Sequence, residues 1–328
     1  MLKCKVGKLA VTVFPLIKED IPVMLHGRSG IGKSEITGGV LCNMIRAEYG
    51  SCVLHDYRLS SMDTVDMTGV PKVDGVATIW TRPAVVPEDD GQMHVFFFDE
   101  ITHASMAVAH AAYQFIHDRK AGDHRLPKKN RILAACNIRE DKGGDNKLPK
   151  PLENRMAHIQ VDLDPKSWQE WANEHKIDPR LCGLIKTRPE LLHNMSDNPA
   201  WPSPRAWERV NRILVSGYPS DVIQDMATAI VGEGAAMQLV EWLKSLGAGL
   251  PRLADILINP TKAKVPTELN HQYVIASAIS RNADLKTAEV FSKYLTRLPP
   301  DLASMASHDG IQRDPTLKDI KAWAALRM

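Results

Sequence analysis

A glycine-rich segment near the start of the chain has the residue types and spacing of a phosphate-binding loop. Residues 27–34 read Gly-Arg-Ser-Gly-Ile-Gly-Lys-Ser, the pattern G-x-x-x-x-G-K-[ST]. Glycine lets the backbone approach an anion, and we expect Gly27 and Gly32 to adopt positive φ. In such a loop the amides hold phosphate oxygens, the lysine reaches the β- and γ-phosphates, and the last hydroxyl binds Mg²⁺. The predicted nucleotide-binding residues are Gly27, Arg28, Ser29, Gly30, Ile31, Gly32, Lys33 and Ser34.

The residues on either side of this loop decide whether the pattern is a site or a chance turn. The apolar run 21–26 predicts a buried strand, and residues 34–49 predict a helix. Four apolar residues recur at helical spacing in that helix: Ile36, Val40, Met44 and Ala47. A strand, a glycine turn and a helix in this order favour the site.

Two further apolar segments end in polar residues suited to phosphate chemistry. The run 95–98 is followed by Asp99 and Glu100, and the strand predicted at 131–136 is followed by Asn137. Ser34 and Asp99 are predicted to hold Mg²⁺, and Glu100 to polarise the attacking water. Asn137 is predicted to contact the γ-phosphate or that water. The alternatives are an acidic helix cap for the two carboxylates and a simple turn for the asparagine.

Strand and helix patterns alternate through the first half of the chain, which predicts an α/β fold with a parallel sheet between helices. Five strands are expected, at 21–26, 51–56, 94–98, 131–136 and 157–161. Helices are expected at 8–19 and 102–118. The segments 70–73 and 76–80 flank Asp74-Gly75, which predicts an inserted hairpin with a type I′ turn.

The second half of the chain has helical spacing throughout, with Pro and Gly between the segments. We therefore expect an α/β core at 1–163, with the hairpin insert near 66–83, and a helical domain at 164–328. A length of 328 residues is consistent with two domains.

Composition narrows the class of protein. The net charge of +2 argues against a molecule that binds nucleic acid over its whole surface. We expect neither a membrane span, since there is no run of about 18 apolar residues, nor a signal peptide. The five cysteines are scattered and odd in number, which predicts reduced thiols and a cytoplasmic protein.

Together, the loop, the Asp-Glu pair and the strand-end Asn resemble the layout of AAA+ ATPases, and the details resemble the MoxR-like, dynein-related group. The matching segments are Asp66-Met67-Thr68-Gly69-Val70-Pro71, Asp99-Glu100-Ile101-Thr102, Leu126-Pro127, Pro151-Leu152-Glu153-Asn154-Arg155 and Pro202-Ser203-Pro204-Arg205. The resemblance covers roughly residues 20 to 215. It implies an AAA+ core with a C-terminal helical lid, ATP and Mg²⁺ as ligands, and a hexameric ring. It also implies ATP hydrolysis that remodels a protein client, with a partner carrying a von Willebrand factor A-type domain.

The resemblance assigns roles to two arginines. Arg155 lies where these proteins place the arginine finger that reaches the neighbouring subunit's nucleotide, although Met156 stands where the family usually has Phe. Arg205 matches sensor 2, at the start of a lid helix. Arg139 is a rival for the finger. The alternative for Arg155 and Arg205 is an ordinary surface arginine or salt bridge.

Other classes of function remain open from the sequence. A basic cluster indicates a subunit interface, a nucleic-acid surface or a solvated face: Arg119, Lys120, Arg125, Lys128, Lys129 and Arg131. A motor driven by nucleic acid is the main alternative function. A small-molecule kinase and a binding module without hydrolysis are weaker alternatives.

Overall fold

The computed structural model describes residues 1–138 and 148–327, which form two compact units, Met1–Asp164 and Pro165–Met328. Each unit has its own buried apolar residues. Arg139, the rival finger, lies outside the described residues.

The first unit is an α/β fold built on a six-stranded parallel sheet. Its described strands are β1 (Leu2–Lys5), β2 (Val23–Gly27), β3 (Val53–Arg58), β4 (Pro71–Asp74), β5 (Ala77–Trp80), β6 (His94–Asp99), β7 (Lys120–Ala121), β8 (His124–Arg125), β9 (Asn130–Cys136) and β10 (Ala157–Asp162). The order across the large sheet is β1-β10-β2-β9-β6-β3. The strand before the glycine-rich loop therefore lies between β10 and β9, near the middle of the sheet.

The expectation of five strands was one short. The sixth strand, β1, pairs in parallel with β10 at the edge of the sheet. Its sequence is Leu-Lys-Cys-Lys, and Cys4 is its only buried residue. An edge strand contacts the core on one face only, so this short lysine-containing segment lacks the apolar run by which the other strands were predicted.

The helices of the first unit cover both faces of the sheet. They are α1 (Leu9–Lys18), α2 (Lys33–Ile36), α3 (Cys42–Tyr49), α4 (Thr64–Thr68), α5 (Met106–Asp118) and α6 (Lys150–Glu153). Phe96 and Phe98 pack on one face with α5, and Val95 and Phe97 pack on the other with α1 and α3. Burial on both faces explains the continuous apolar sequence of β6.

The helix after the glycine-rich loop buries a different face from the one predicted. A π-helical turn, Thr37–Leu41, lies between α2 and α3. The extra residue of a π-turn rotates the following side chains, so the buried residues are Thr37, Leu41, Cys42 and Ile45. Val40 is 55% exposed and Ala47 is also exposed. Ile36 and Met44 are partly buried against the core.

The inserted hairpin consists of β4 and β5, which pair in antiparallel fashion with Asp74 opposite Ala77. Its two-residue loop is Gly75-Val76, one position later than predicted. Gly75 has a φ of 60°, whereas Val76 does not have positive φ. A positive φ at the first loop position alone belongs to type II′ and not to the predicted type I′. Both strands are exposed along their whole length.

The second unit consists of helices in its described residues. They are α7 (Pro165–Glu174), α8 (Pro179–Thr187), α9 (Pro204–Val215), α10 (Ser220–Val231), α11 (Glu233–Gly249), α12 (Leu253–Ile258), α13 (Leu269–Asn282), α14 (Ala288–Leu295), α15 (Pro300–Arg313) and α16 (Lys321–Ala324). Trp207 and Trp323 are fully buried in this unit. Of the helices in the described residues, none is both long and apolar enough for a membrane crossing.

Candidate active site

The glycine-rich loop connects β2 to α2 at the carboxyl edge of the sheet. Gly30 and Gly32 have φ of 76° and 94°, so these two positions favour glycine for conformational reasons. The prediction for Gly27 was wrong, because its φ is not positive. Glycine is needed there for space: a Cβ would lie 2.8 Å from Ile31 Cδ1 and 3.1 Å from the backbone oxygen of Val161.

Lys33, the first residue of α2, has a buried side chain that is 7% exposed. Its ammonium group donates to the carbonyl oxygens of Gly27 at 2.6 Å and Arg28 at 3.0 Å, and to Asn137 Oδ1 at 3.3 Å. A buried charge requires such partners. The bond to Asn137 brings together two predicted site residues that are 104 positions apart in the chain.

Ser34 and Asp99 also meet. The Ser34 hydroxyl donates to Asp99 Oδ2 at 2.7 Å, and the backbone N–H of Glu100 donates to Asp99 Oδ1 at 2.9 Å. Burial raises the pKa of Asp56 on the neighbouring strand, and the nearby Asp99 carboxylate raises it further. Two carboxylates that repel each other favour a bound cation.

These residues fit the predicted magnesium ion. Among the described residues, no group of three or more His, Cys, Asp or Glu could hold a metal. Mg²⁺ does not need such a group, since it keeps several waters and takes only one or two protein ligands beside substrate phosphates. A serine hydroxyl and one carboxylate in contact match that requirement.

Glu100 follows Asp99 in a left-handed conformation, with a φ of 55°. Its Oε2 accepts a hydrogen bond of 2.5 Å from the Ser60 hydroxyl, and its Oε1 lies 3.8 Å from Arg58 Nε. The left-handed region is strained for a residue other than glycine and tends to occur at functional sites. The carboxylate predicted to polarise water is therefore restrained by two residues near the end of β3.

Sequence reasoning missed Arg58 and Ser60. The signal was available, because polar residues at or just after the carboxyl end of a parallel strand lie at the edge where ligands bind. The second predicted strand was placed at 51–56, and no role was given to the polar residues that follow it. The observed strand extends to Arg58 and places it opposite Asp99, and Ser60 follows two residues later beside Glu100.

Arg155 follows α6 and is exposed. Its guanidinium lies over the ring of Tyr113, 5.2 Å from the centroid, and donates to the Tyr113 hydroxyl. In the part of the chain that the structure describes, no hydrogen bond or ion pair joins Arg155 to the glycine-rich loop of the same chain. Its role as a finger stays a prediction.

Arg205 belongs to the second unit. It is the second residue of α9 and is exposed. The helix is capped by Ser203, whose hydroxyl accepts from the backbone N–H of Ala206 at 3.2 Å. Its predicted sensor 2 role also stays a prediction.

Two members of the predicted basic cluster bind groups of their own chain. Arg119 donates to Asp20 Oδ1 at 2.9 Å and to Asn130 Oδ1 at 2.7 Å. Arg131 lies 3.6 Å from the same Asp20 carboxylate. These arginines stabilise the amino edge of the sheet, which reduces the charge that the cluster offers to a partner.

Comparison with solved structures finds similarities at low sequence identity. NtrX from Brucella abortus is 15% identical over 98% of this chain and 66% of that chain, with a TM-score of 0.43. PCH-2 from C. elegans is 13% identical over 74% of this chain and 68% of that chain, with a TM-score of 0.38. A mutant of RuvB from Thermotoga maritima is 18% identical over 89% of this chain and 86% of that chain, with a TM-score of 0.40. The chain thus spans slightly less than two thirds of NtrX.

A search of curated proteins finds no match to this sequence. A comparison with protein families does find a match. The model of the AAA domain of the dynein-related subfamily matches residues 22–156. The matched range begins at the strand before the glycine-rich loop and ends just after Arg155. Residues 22–156, the part of the first unit that holds the candidate site, are therefore similar to the AAA domain of the dynein-related subfamily.

Proposed function

We propose that this protein is an AAA+ ATPase of the MoxR kind that binds ATP with Mg²⁺ and works as a ring, most simply a hexamer, to remodel a protein client. The observation that carries the ATPase proposal is the convergence of the predicted residues at one edge of the sheet. Lys33 contacts Asn137, Ser34 contacts Asp99, and Glu100 follows Asp99 directly. Since ligands bind at the carboxyl edge of such sheets, this is where ATP would lie.

In this mechanism the loop amides and Lys33 bind the phosphates of ATP. Ser34 and Asp99 would hold Mg²⁺, which would neutralise charge on the phosphates. Glu100 accepts a proton from water, whose oxygen attacks the γ-phosphorus while the bond to the β–γ bridging oxygen breaks. Asn137 orients the water or a γ-phosphate oxygen. The products are ADP and phosphate.

The ring follows from the role proposed for Arg155. An arginine that stabilises the charge developing on the γ-phosphate can act from a neighbouring subunit. Exposure of Arg155 and its lack of described bonds to its own loop support action on a second copy of the chain. Arg205 would contact the nucleotide of its own subunit. A partner with a von Willebrand factor A-type domain and a cytoplasmic location rest on the sequence alone.

Substitution of the proposed base tests the ATPase. Glu100→Gln keeps the shape of the side chain but removes the proton acceptor, so we expect ATP binding to persist and hydrolysis to fall by about 10²–10⁴-fold. Nucleotide affinity and phosphate release in wild type and variant measure the two effects. Wild-type turnover in the variant would rule out Glu100 as the base.

Mixing two inactive variants tests the shared site. Arg155→Ala should bind ATP and lose about 10³-fold in hydrolysis. Lys33→Ala should bind ATP too weakly to turn it over at the concentration used, but should still offer Arg155 to its neighbour. If the finger acts between subunits, a mixture of the two recovers activity that neither has alone. A mixture that stays inactive, while Arg139→Ala mixed with Lys33→Ala recovers activity, would assign the finger to Arg139.

The main alternative is a motor driven by nucleic acid. It predicts that DNA or RNA stimulates ATP turnover and that binding weakens steeply with salt. The remodelling proposal predicts no such stimulation. The Glu100→Gln form should remain in its ATP state, so a pull-down with this form should retain the protein client and partner. A protein that binds ATP without any turnover would instead be a binding module.

A further inference from the structure

Beside the candidate site, three adjacent strands are connected by a chain of hydrogen bonds between side chains. Cys136 Sγ on β9 lies 3.1 Å from His26 Nδ1 on β2. His26 Nε2 lies 2.8 Å from His158 Nδ1 on β10. His158 Nε2 lies 2.6 Å from the carbonyl oxygen of Glu153, the last residue of α6. We call these four linked residues the histidine relay.

The acceptor at the end of the relay fixes the direction of its hydrogen bonds. A carbonyl oxygen can only accept, so His158 donates from Nε2, and a neutral ring then accepts at Nδ1. With both rings neutral, His26 donates from Nε2 and accepts at Nδ1 from the Cys136 thiol. Replacing one member therefore removes a hydrogen bond from each of its neighbours in the relay.

Three members of the histidine relay lie within two residues of a residue of the proposed reaction. His26 precedes Gly27 at the start of the glycine-rich loop, and Cys136 precedes Asn137. Glu153 lies two residues before Arg155. The relay therefore joins the loop that binds phosphate, the amide that contacts Lys33, and the segment that presents the proposed finger.

Because these groups are buried or half-buried, losing one of the relay hydrogen bonds is energetically costly. Cys136 is 2% exposed, and both histidines are half-buried. A polar atom that loses its partner in such surroundings costs more than one that can turn to water. The backbone N–H of Arg155 donates to Leu152 O at 3.2 Å, and that of Met156 lies 3.4 Å from Glu153 O, so the 2.6 Å bond from His158 is a short addition to the contacts that hold the segment after α6.

We propose that Cys136, His26 and His158 are positioning residues, which hold the Glu153–Arg155 segment in a fixed relation to the strand ends that carry Gly27 and Asn137. The proposal rests on the proposed function of Arg155. It means that the nucleotide site of one protomer and the finger that the same protomer offers to its neighbour are mechanically joined. A broken relay should slow hydrolysis without weakening ATP binding.

Paired substitutions test this role. Cys136→Ala removes the donor and Cys136→Ser keeps one. His158→Asn keeps an acceptor toward His26 but cannot reach Glu153 O. We expect kcat to fall about tenfold in Cys136→Ala and His158→Asn with KM unchanged, because small misplacements of a catalytic group are costly. Cys136→Ser should recover most of the activity.

The sheet offers a matched control at its opposite edge. His55 Nε2 and His94 Nδ1 form an equivalent pair at 2.9 Å, near the amino ends of their strands. His55→Asn breaks that pair and should leave kcat and KM unchanged at about pH 8. Equal losses in His55→Asn and His158→Asn would indicate a general effect on folding and overturn the positioning role.

A second measurement does not depend on turnover. The backbone N–H groups of Asn154, Arg155 and Met156 are hydrogen-bonded within this segment, and hydrogen exchange followed by mass spectrometry reports their protection. In full-length Cys136→Ala and His158→Asn we expect a loss of protection over residues 150–156, with Cys136→Ser close to wild type. Unchanged protection would overturn the proposal. If the wild-type protein hydrolyses no ATP but the variants show this exchange pattern, the ATPase proposal is refuted. The ordering of residues 150–156 by the histidine relay would still hold.

Discussion

The amino and carboxyl edges of the parallel sheet in the first unit use their polar residues differently. At the amino edge the Arg119 guanidinium binds the Asp20 carboxylate, and His94 Nε2 lies 2.9 Å from Asp90 Oδ1. At the carboxyl edge Lys33 donates to carbonyl and amide oxygens, and Asp99 accepts from a hydroxyl. A pair of opposite charges cancels much of its own field, whereas these hydrogen bonds to neutral groups do not cancel the charge of Lys33 or Asp99.

The histidine pairs at the two edges repeat this contrast. The amino-edge pair ends on a carboxylate: hydrogen bonds from the Gln92 backbone and then from His94 lower the pKa of Asp90 to about 2. The carboxyl-edge pair ends on the carbonyl oxygen of Glu153. The first is a stabilising cluster that is closed by a charge, and the second connects parts of a site.

The largest effect is expected from removing the Lys33 ammonium group at the carboxyl edge. Lys33→Ala should weaken ATP binding by about 100-fold, the size of two or more lost bonds to a charged group. Isothermal titration with ATP measures the change. Arg119→Ala at the amino edge is the control and should lower the urea midpoint without changing ATP affinity. Similar ATP affinities for the two variants would contradict the division between edges.

The next largest effect is expected from filling the space beside Gly27 in the glycine-rich loop. Gly27→Ala forces a methyl group against Ile31 and the backbone of β10, so we expect a loss of about 2 kcal/mol in the free energy of unfolding. Gly39→Ala is the control, because a Cβ there meets no atom within 4 Å. Alanine at Gly39 should stabilise the protein by a few tenths to about 1 kcal/mol. Urea unfolding measures the change in the free energy of unfolding for both variants. Two changes of the same sign would contradict the packing argument.

A smaller effect is expected from releasing Glu100. Ser60→Ala removes the hydrogen bond that competes with water for the carboxylate, so basal ATP turnover should rise about threefold, the worth of one such bond. Ser61→Ala is the matched control, since that hydroxyl donates to the Arg58 carbonyl at 3.0 Å and not to Glu100. Steady-state kcat of the two variants measures this change in turnover. Unchanged or lower turnover in Ser60→Ala would show that the bond does not restrain Glu100.

The smallest effect concerns pH at the amino edge. Burial lowers the pKa of His55, and nearby His94 lowers it further. As pH falls below about 6.5 the unfolded chain binds a proton that the folded protein refuses, so stability declines as the pH falls toward the lower folded pKa. His55→Asn should flatten the change in urea midpoint between about pH 7.5 and 5.5. The exposed His110→Asn should leave it as in wild type. An identical pH dependence in wild type and His55→Asn would contradict this assignment.

Local patterns predicted much of the site. The glycine-rich loop, the Asp-Glu pair and the strand-end Asn are each set by residues close together in the chain, and the strands that carry them lie within two residues of their expected positions. The errors arose where a local pattern has more than one structural outcome. A helical pattern does not reveal a π-turn, and Asp-Gly allows more than one hairpin register. A short edge strand has no continuous apolar sequence to reveal it.

The sequence by itself determined that a strand, a glycine turn and a helix would form a phosphate-binding loop, and that carboxylates and an amide would end other strands. Tertiary structure alone decided which of these groups meet. The order β1-β10-β2-β9-β6-β3 places Cys136, His26 and His158 on adjacent strands although up to 132 residues separate them. It likewise brings Ser60 to Glu100. Such contacts depend on strand order and register, which follow from the packing of the whole core and not from any segment of the chain.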